Sequence, residues 1–266
     1  MPAPRVMGVV NVTPDSFSDG GHYLVAEAAI AHALRLAGQG ADLLDLGAES
    51  TRPGAEPVTA EEELARLLPV IAGVRAQTAV PISVDTMKPE VARAAVAAGA
   101  SVWNDVSALR HAPDSLAAAA ELGCAVVLMH MQGEPRTMQA DPRYDDVVAE
   151  VRGFLEERAA AAMRAGVCRQ AISLDPGIGF GKTLAHNLQL LRALPELKAL
   201  GFPLVLGVSR KRSIQAIDET ATDPMDRLGG SLAFALWCAE HGADVIRVHD
   251  VRETVQALKV QAALRT

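Results

Sequence analysis

Ser173-Leu174-Asp175-Pro176-Gly177-Ile178-Gly179-Phe180-Gly181-Lys182 carries an apolar run to a carboxylate and then turns. Pro176 has no amide hydrogen to give to a sheet ladder, so it stops the strand begun at 171–174. Three alternating glycines follow, which lets the backbone take left-handed angles and lets a ligand approach closely. Lys182 then stands at the entrance of an amphipathic helix expected from about 186 to 194. A carboxylate on a strand end, a glycine loop and a helix start make a ligand-binding arrangement. An Asp capping a tight turn would leave the same local trace. The rest of the chain separates the two readings by repeating the pattern.

Short apolar runs recur at 5–10, 42–46, 81–84, 101–103, 125–129, 171–174, 203–207 and 244–248. They are continuously apolar rather than alternating, as parallel strands covered on both faces require. Ala-rich helical stretches separate them. Thr59 with Glu62 forms a capping box ahead of a helix expected at 63–78. Pro89 suits the first position of a helix at 91–98, which Gly99 ends. Gly40, Gly123, Gly166 and Gly242 are placed as further stops. Eight strand–helix units in 266 residues predict a (β/α)8 TIM barrel, an α/β fold formed by one domain over 1–266. An open doubly wound sheet is the alternative.

Half of the residues are hydrophobic and charge is moderate, which excludes a disordered chain. A formal net charge of −7 argues against general nucleic-acid or membrane-surface binding, since either needs a basic face. Any anion must therefore be held by a local cluster. Cys124, Cys168 and Cys238 are isolated and lack metal-ligand spacing, which fits a reducing compartment. No basic-then-apolar leader opens the chain, and no apolar run is long enough to span a bilayer. A cytoplasmic enzyme is expected.

Polar residues gather where the strands end. Strand 1 ends at Asn11, strand 2 near Asp45, strand 3 at Asp85-Thr86, strand 4 at Asn104-Asp105 and strand 5 at Met129-His130. Strand 6 gives Asp175, strand 7 runs through Gly207 to Ser209-Arg210-Lys211, and strand 8 gives Arg247-Val248-His249-Asp250. In a barrel these ends share one face, where such enzymes place their sites. Any single residue among them could be a turn cap, but eight coincident polar ends point to a site.

Four stretches carry a family resemblance. They are Asn11-Val12-Thr13-Pro14-Asp15-Ser16-Phe17-Ser18-Asp19-Gly20-Gly21, Glu49-Ser50-Thr51-Arg52-Pro53-Gly54-Ala55, Asp175 to Lys182, and Ser209-Arg210-Lys211. In order and over nearly the whole chain, they resemble the signatures of dihydropteroate synthases. Ile178 stands where that family often has Phe, and Arg212 where it usually has a smaller residue. Ile178 is expected only to repack the loop.

The resemblance implies condensation of 6-hydroxymethyl-7,8-dihydropterin pyrophosphate with p-aminobenzoate, giving 7,8-dihydropteroate and pyrophosphate for folate synthesis. Asp85, Asn104, Asp175 and Lys211 would then hold the pterin, with Met129 and Phe180 as apolar walls and Gly207 beside them. Such groups suit a pterin edge, which offers paired N–H donors and a carbonyl acceptor. Arg247 and His249 would meet the pyrophosphate, with Asn11 on Mg2+, and Arg247 and Asn11 are expected to touch that end alone. Phe17, Thr51, Arg52, Pro53 and Ser209 would form the p-aminobenzoate site, and Asp19 would orient the amine or receive its proton. A dissociative displacement is the expected path, and a homodimer packed through barrel helices, including 226–240, is implied. The rival readings are a methyltetrahydrofolate-binding methyltransferase domain and a pterin-binding paralogue without turnover. The first loop, together with Ser50-Thr51-Arg52-Pro53-Gly54 and Ser209-Arg210-Lys211, argues against the former, and the intact Asp19, Arg52, Lys211 and Arg247 argue against the latter.

Overall fold

The structure is a computed structural model that describes residues 3–13, 21–50 and 56–265, without the side chains of 21–24. Eight strands form it: β1 Arg5–Asn11, β2 Leu43–Gly47, β3 Ile82–Asp85, β4 Val102–Asp105, β5 Ala125–Met129, β6 Ile172–Asp175, β7 Val205–Gly207 and β8 Val245–Val248. They hydrogen-bond in the order β6-β5-β4-β3-β2-β1-β8-β7, every pair parallel. The two outer members also meet. Leu174 of β6 bridges Leu204 in parallel, and its N–H donates to the Pro203 carbonyl at 2.9 Å. An open sheet has no such contact between its edges, so the expected barrel is what forms.

Helices α1 Gly21–Gly38, α2 Ala60–Arg75, α3 Pro89–Ala97, α4 Ser115–Leu122 and α5 Val147–Ala165 cover the first half. The second half carries α6 Leu184–Arg192, α7 Leu194–Lys198, α8 Arg212–Ile217, α9 Leu228–Glu240 and α10 Val251–Ala263. Helix α2 starts three residues before its expected first position, because the Thr59 cap accepts from Glu62 N–H immediately ahead of it. Helix α6 also starts early. Thr183 caps it, and the His186 ring returns to the Thr183 N–H at 3.3 Å, a reciprocal cap that a Glu or Gln usually supplies. Pro89 opens α3 as expected.

Several strands run one or two residues further toward their C-terminal ends than the apolar runs suggest. Ladder pairing continues through the polar residues, with Asp85 opposite Asn104 and Met129 opposite Asp175. These side chains therefore ride on rigid backbone rather than on loops. The core has two layers. Outside the strands, Val6, Val10, Leu44, Leu46, Ile82, Val84 and Trp103 pack against the helices. Inside, Met7, Leu43, Val102, Val127, Val205 and Val245 close the barrel floor. Trp103 is fully buried and its Nε1 donates to the Thr86 carbonyl at 2.8 Å, tying β4 to the turn after β3. Among the described residues, no helix is long and apolar enough to cross a membrane.

Thr59→Ala removes one half of the α2 cap and strands a helix N–H. It should lower unfolding free energy by about 1 kcal/mol without changing the denaturant slope, as read from urea titration.

Candidate active site

Side chains alternate across a strand, so residues two positions beyond the apolar floor face the same interior. That step leads from Leu43 to Asp45, from Val102 to Asn104, from Val127 to Met129, from Val205 to Gly207 and from Val245 to Arg247. A polar layer thus lies directly above the hydrophobic one. Arg247 donates through Nε to Asp45 Oδ2 at 2.6 Å and through Nη2 to Asp85 Oδ2 at 2.8 Å. Asn104 donates through Nδ2 to the same Asp45 oxygen at 3.1 Å. Asp45 is completely buried, whereas Arg247 and Asp85 keep a little access to the mouth. Burial pushes the Asp85 pKa up to about 7, and the neighbouring Asp45 charge adds to this while Arg247 opposes it. Burial also works against the Arg247 charge, yet Asp45 and Asp85 together hold its pKa above the ordinary arginine value.

The second group comes from β6, β7 and their loops. Asp175 is buried, and its Oδ1 accepts from the Gly177 N–H at 2.7 Å. Lys211 lies just past β7, with Nζ 4.6 Å from the Phe180 ring centroid, a cation–π contact. Burial raises the Asp175 pKa, against the Gly177 hydrogen bond and the Lys211 charge. Burial lowers Lys211 to about 8, with Asp175 opposing. The direction of Lys211 is set by its neighbour. Arg210 holds a left-handed φ of 56°, unusual for a residue with a side chain. Its N–H donates to Ser231 Oγ at 2.8 Å, its carbonyl accepts from Arg227, and its guanidinium pairs with Asp250 at 2.5 and 3.0 Å.

At the β8 and β1 ends, Ser209 Oγ accepts from the His249 N–H at 3.2 Å and lies 3.1 Å from its Nδ1. The hydroxyl proton is then free for Nδ1, leaving Nε2 to carry the ring hydrogen. Burial pushes the His249 pKa down to about 3, helped by Arg247 and Arg210, so the ring is neutral. Asn11, Arg210 and His249 share the lining of a cavity of about 480 Å³. Met129 is buried beside Phe180 in a small cluster with Val106, Met131 and Met138.

Among the described residues, the sequence-derived candidates Asp85, Asn104, Met129, Asp175, Phe180, Gly207, Ser209, Lys211, Arg247, His249 and Asn11 all lie at the C-terminal ends of the barrel strands or in the turns that follow. Phe17, Asp19, Thr51, Arg52 and Pro53 fall outside the described residues. The Arg247 fork is committed to Asp45 and Asp85 in the polar layer. Ile178 is buried in the main core, consistent with simple repacking, and Arg212 is exposed on the first turn of α8.

The family of pterin-binding enzymes matches residues 7–249. The dihydropteroate synthase of Escherichia coli K12 is 49% identical over 260 residues, covering 98% of this chain and 91% of that protein. A dihydropteroate synthase of Xanthomonas albilineans solved with 4-aminobenzoic acid is 57% identical, with a TM-score of 0.94 over 99% of this chain and 94% of that one. The chain belongs to the dihydropteroate synthases. Another Xanthomonas albilineans dihydropteroate synthase structure holds 7,8-dihydropteroate, at 54% identity and a TM-score of 0.89 over 99% of this chain and 94% of that one. Dihydropteroate synthases are transferases, and this chain is an enzyme of that class.

Two parts of the dihydropteroate synthase mouth escaped the sequence reading. Asp45 was visible as a charge interrupting Leu43-Leu44-Asp45-Leu46, which a doubly covered strand seldom tolerates without a partner. Lys182 was visible in the glycine motif, yet its side chain points into the protein and is 3% exposed. Asp45→Asn should draw the Asp85 midpoint down from about 7, because a like charge is removed while Arg247 remains. Burial persists, so the return toward the ordinary carboxylate range should be partial. Carbon-13 NMR titration of the Asp85 carboxyl reads this directly.

Proposed function

We propose that this chain joins the amine of p-aminobenzoate to the methylene carbon of 6-hydroxymethyl-7,8-dihydropterin pyrophosphate, forming 7,8-dihydropteroate and releasing pyrophosphate. The observation that carries this reading is the convergence of Asp85, Asn104, Asp175 and Lys211 on one barrel mouth. Asp175 takes the paired N–H donors of the pyrimidine edge, Asn104 offers its carbonyl oxygen, and Lys211 reaches the ring carbonyl. Asp85 faces the reduced ring. Met129 and Phe180 wall the pocket, and Gly207 leaves room beside them.

The leaving group lies toward β8 and β1. Arg247 uses Nε and Nη2 on carboxylates and has Nη1 left for a pyrophosphate oxygen, and the His249 Nε2–H serves another. No group of three or more His, Cys, Asp or Glu among the described residues could hold a metal ion. Asn11, half-buried in the cavity lining, therefore fits Mg2+ only as one ligand beside waters and phosphate oxygens. Bound there, Mg2+ would neutralise charge on the departing pyrophosphate. Asp85 and Asp175 stabilise the positive charge that the dihydropterin delocalises, which favours the dissociative path. The arylamine is neutral near pH 7 and attacks without prior deprotonation, with Asp19 orienting it. Ser209, Phe17, Thr51, Arg52 and Pro53 complete the p-aminobenzoate subsite.

A homodimer is supported by the exposed Ile217, Met225, Trp237, Val260 and Leu264 on α8 to α10 and the turn before α9. A cytoplasmic setting, without nucleic-acid or membrane partners, accords with the free cysteines Cys124, Cys168 and Cys238 and with the acidic net charge.

The deciding experiment is pyrophosphate release, which should require both substrates together, and release from the pterin substrate alone at the same rate would sink the reading. Asp175→Asn loses a charged acceptor and should weaken pterin-alcohol binding by about 2–4 kcal/mol in calorimetry. The pH dependence follows from the two flanking groups. Ligand N–H donors favour ionised Asp85, so affinity should rise as pH passes about 7, and it should fall above about 8 as Lys211 loses its proton. Asp85→Asn should shrink the acidic limb to the part that Asp175 contributes and leave the basic one.

A further inference from the structure

Lys182 has no part in the chemistry above, yet its surroundings are built with care for an ammonium. Its Nζ lies 2.9 Å from His130 Nδ1, 3.0 Å from the Gly177 carbonyl oxygen and 2.9 Å from that of Phe180, with the His130 carbonyl at 3.4 Å. A lysine 3% exposed is costly to bury unless its hydrogens are all taken. Three N–H groups meet three close acceptors, and among the described residues no carboxylate lies within ion-pair distance. Burial draws the Lys182 pKa down to about 7, against the attraction of Asp175. Burial and the Lys182 charge hold His130 at about 3, so its ring is neutral and can accept at Nδ1.

The acceptors belong to the loop that follows β6. That loop lies so close to the segment after β5 that a Cβ on Gly177 would stand 1.9 Å from the His130 carbonyl oxygen, and one on Gly181 would stand 2.6 Å from that of Gln132. Side chains satisfy the backbone where no ladder does. Gln139 donates to the Gly179 carbonyl at 2.6 Å, Tyr144 to the Gly181 carbonyl at 2.8 Å, and Asn187 accepts from the Gly179 N–H at 2.8 Å. Lys182 takes the carbonyls of Gly177 and Phe180 in the same loop. Gly177 in turn donates to Asp175, and Phe180 lies under the Lys211 ammonium.

We propose that Lys182 is a positioning residue for pterin binding: its ammonium gathers the Gly177 and Phe180 carbonyls and the His130 imidazole, and so fixes the loop that aims Asp175 and Phe180. This rests on the assignment of Asp175 and Phe180 to the pterin pocket. Lys182→Met keeps the chain length and removes every donor. In the folded variant, pterin-alcohol affinity should fall roughly 10- to 100-fold, as for loss of hydrogen bonds to a charged group. Affinity for Mg2+-pyrophosphate, held at the β1 and β8 ends, should stay at the parent value, whereas a general loosening of structure would weaken both. Lys182→Cys in a background with Cys124→Ala, Cys168→Ser and Cys238→Ala, aminoethylated on its one thiol in denaturant and refolded, restores an ammonium at nearly the same reach and should recover pterin binding. Should Lys182→Met fail to fold, His130→Leu deletes one acceptor and is expected to cost roughly 3- to 10-fold in pterin affinity alone. Parent-like pterin affinity in the folded Lys182→Met or His130→Leu protein, or equal losses for both ligands, overturns the proposal. Asp175→Asn run in parallel separates the causes. A loss there without one in Lys182→Met removes only the role of Lys182, while parent-like binding in both removes the pocket assignment and the proposal with it.

Discussion

Arg247 sits as a fork between Asp45 and Asp85 at the centre of the barrel, and the site depends on that pairing. Two carboxylates on adjacent strands face the same interior, one of them with no access to solvent. Their mutual repulsion and desolvation would be severe without a cation between them. Breaking such a buried pair typically costs about 3–5 kcal/mol, because the remaining charges stay desolvated. Arginine suits the position, since its planar donors span both oxygens and it does not lose its proton on burial. Asn104 donates to the same Asp45 oxygen as Arg247, so four strands, β2, β3, β4 and β8, are joined by one polar knot. Burial raises the Asp85 pKa, and the same Asp45 and Arg247 charges adjust it in opposite directions.

A different device holds the other half of the mouth. Asp85, Asn104 and Arg247 are placed by strand register, but Phe180 and Lys211 stand on backbone that has left the ladder. There the chain uses cations against carbonyls. Lys182 gathers the glycine loop, and buried Arg227 donates to the carbonyls of Ala221, Thr222 and Arg210 while Ser231 takes the Arg210 N–H. Each cation serves acceptors that irregular backbone would otherwise leave unpaired. The cost of the left-handed Arg210 is met by the same contacts together with its ion pair to Asp250.

The eight strands were legible because parallel strands covered on both faces must be continuously apolar, and glycine and capping residues punctuated the helices. Strand ends were misplaced by a residue or two, since apolarity stops at Asp85 or Asp175 while ladder pairing does not. The His186 cap of α6 was missed because imidazole is not the usual reciprocal partner of a capping threonine. In the site, Asn104, Asp175 and Lys211 could be read from strand ends alone. Asp45 could not be assigned a partner, because Arg247 lies 202 residues away and only the pairing of β1 with β8 brings their strands within one strand of each other. The same arrangement explains why the Arg247 fork reaches both Asp45 and Asp85. Inward orientation of Lys182 left no periodic trace, for it lies between a glycine loop and a helix cap. The candidates Phe17, Asp19, Thr51, Arg52 and Pro53 rested on family resemblance, since polar loop residues look alike whether they bind or not.

The chain is acidic overall, and the mouth shows how such a protein can still receive an anionic substrate. Lys211, Arg247 and Arg210 stand around the opening, and each is matched by a carboxylate close to it: Asp175, Asp45 with Asp85, and Asp250 respectively. Their charges therefore do not project a broad positive field, which would also attract polyanions. What distinguishes the two ends is depth. On the floor the carboxylate oxygens outnumber nearby cations, and burial raises Asp85 and Asp175, which favours a ligand that brings N–H donors. Toward β8 and β1 the donors are the neutral His249 ring and Nη1 of Arg247, which has no bond to the described residues, and both favour phosphate oxygens. Under the proposed reaction, a substrate with a donor-rich ring at one end and pyrophosphate at the other would satisfy both only in one orientation, and polarity within the mouth would fix which way the reacting methylene faces.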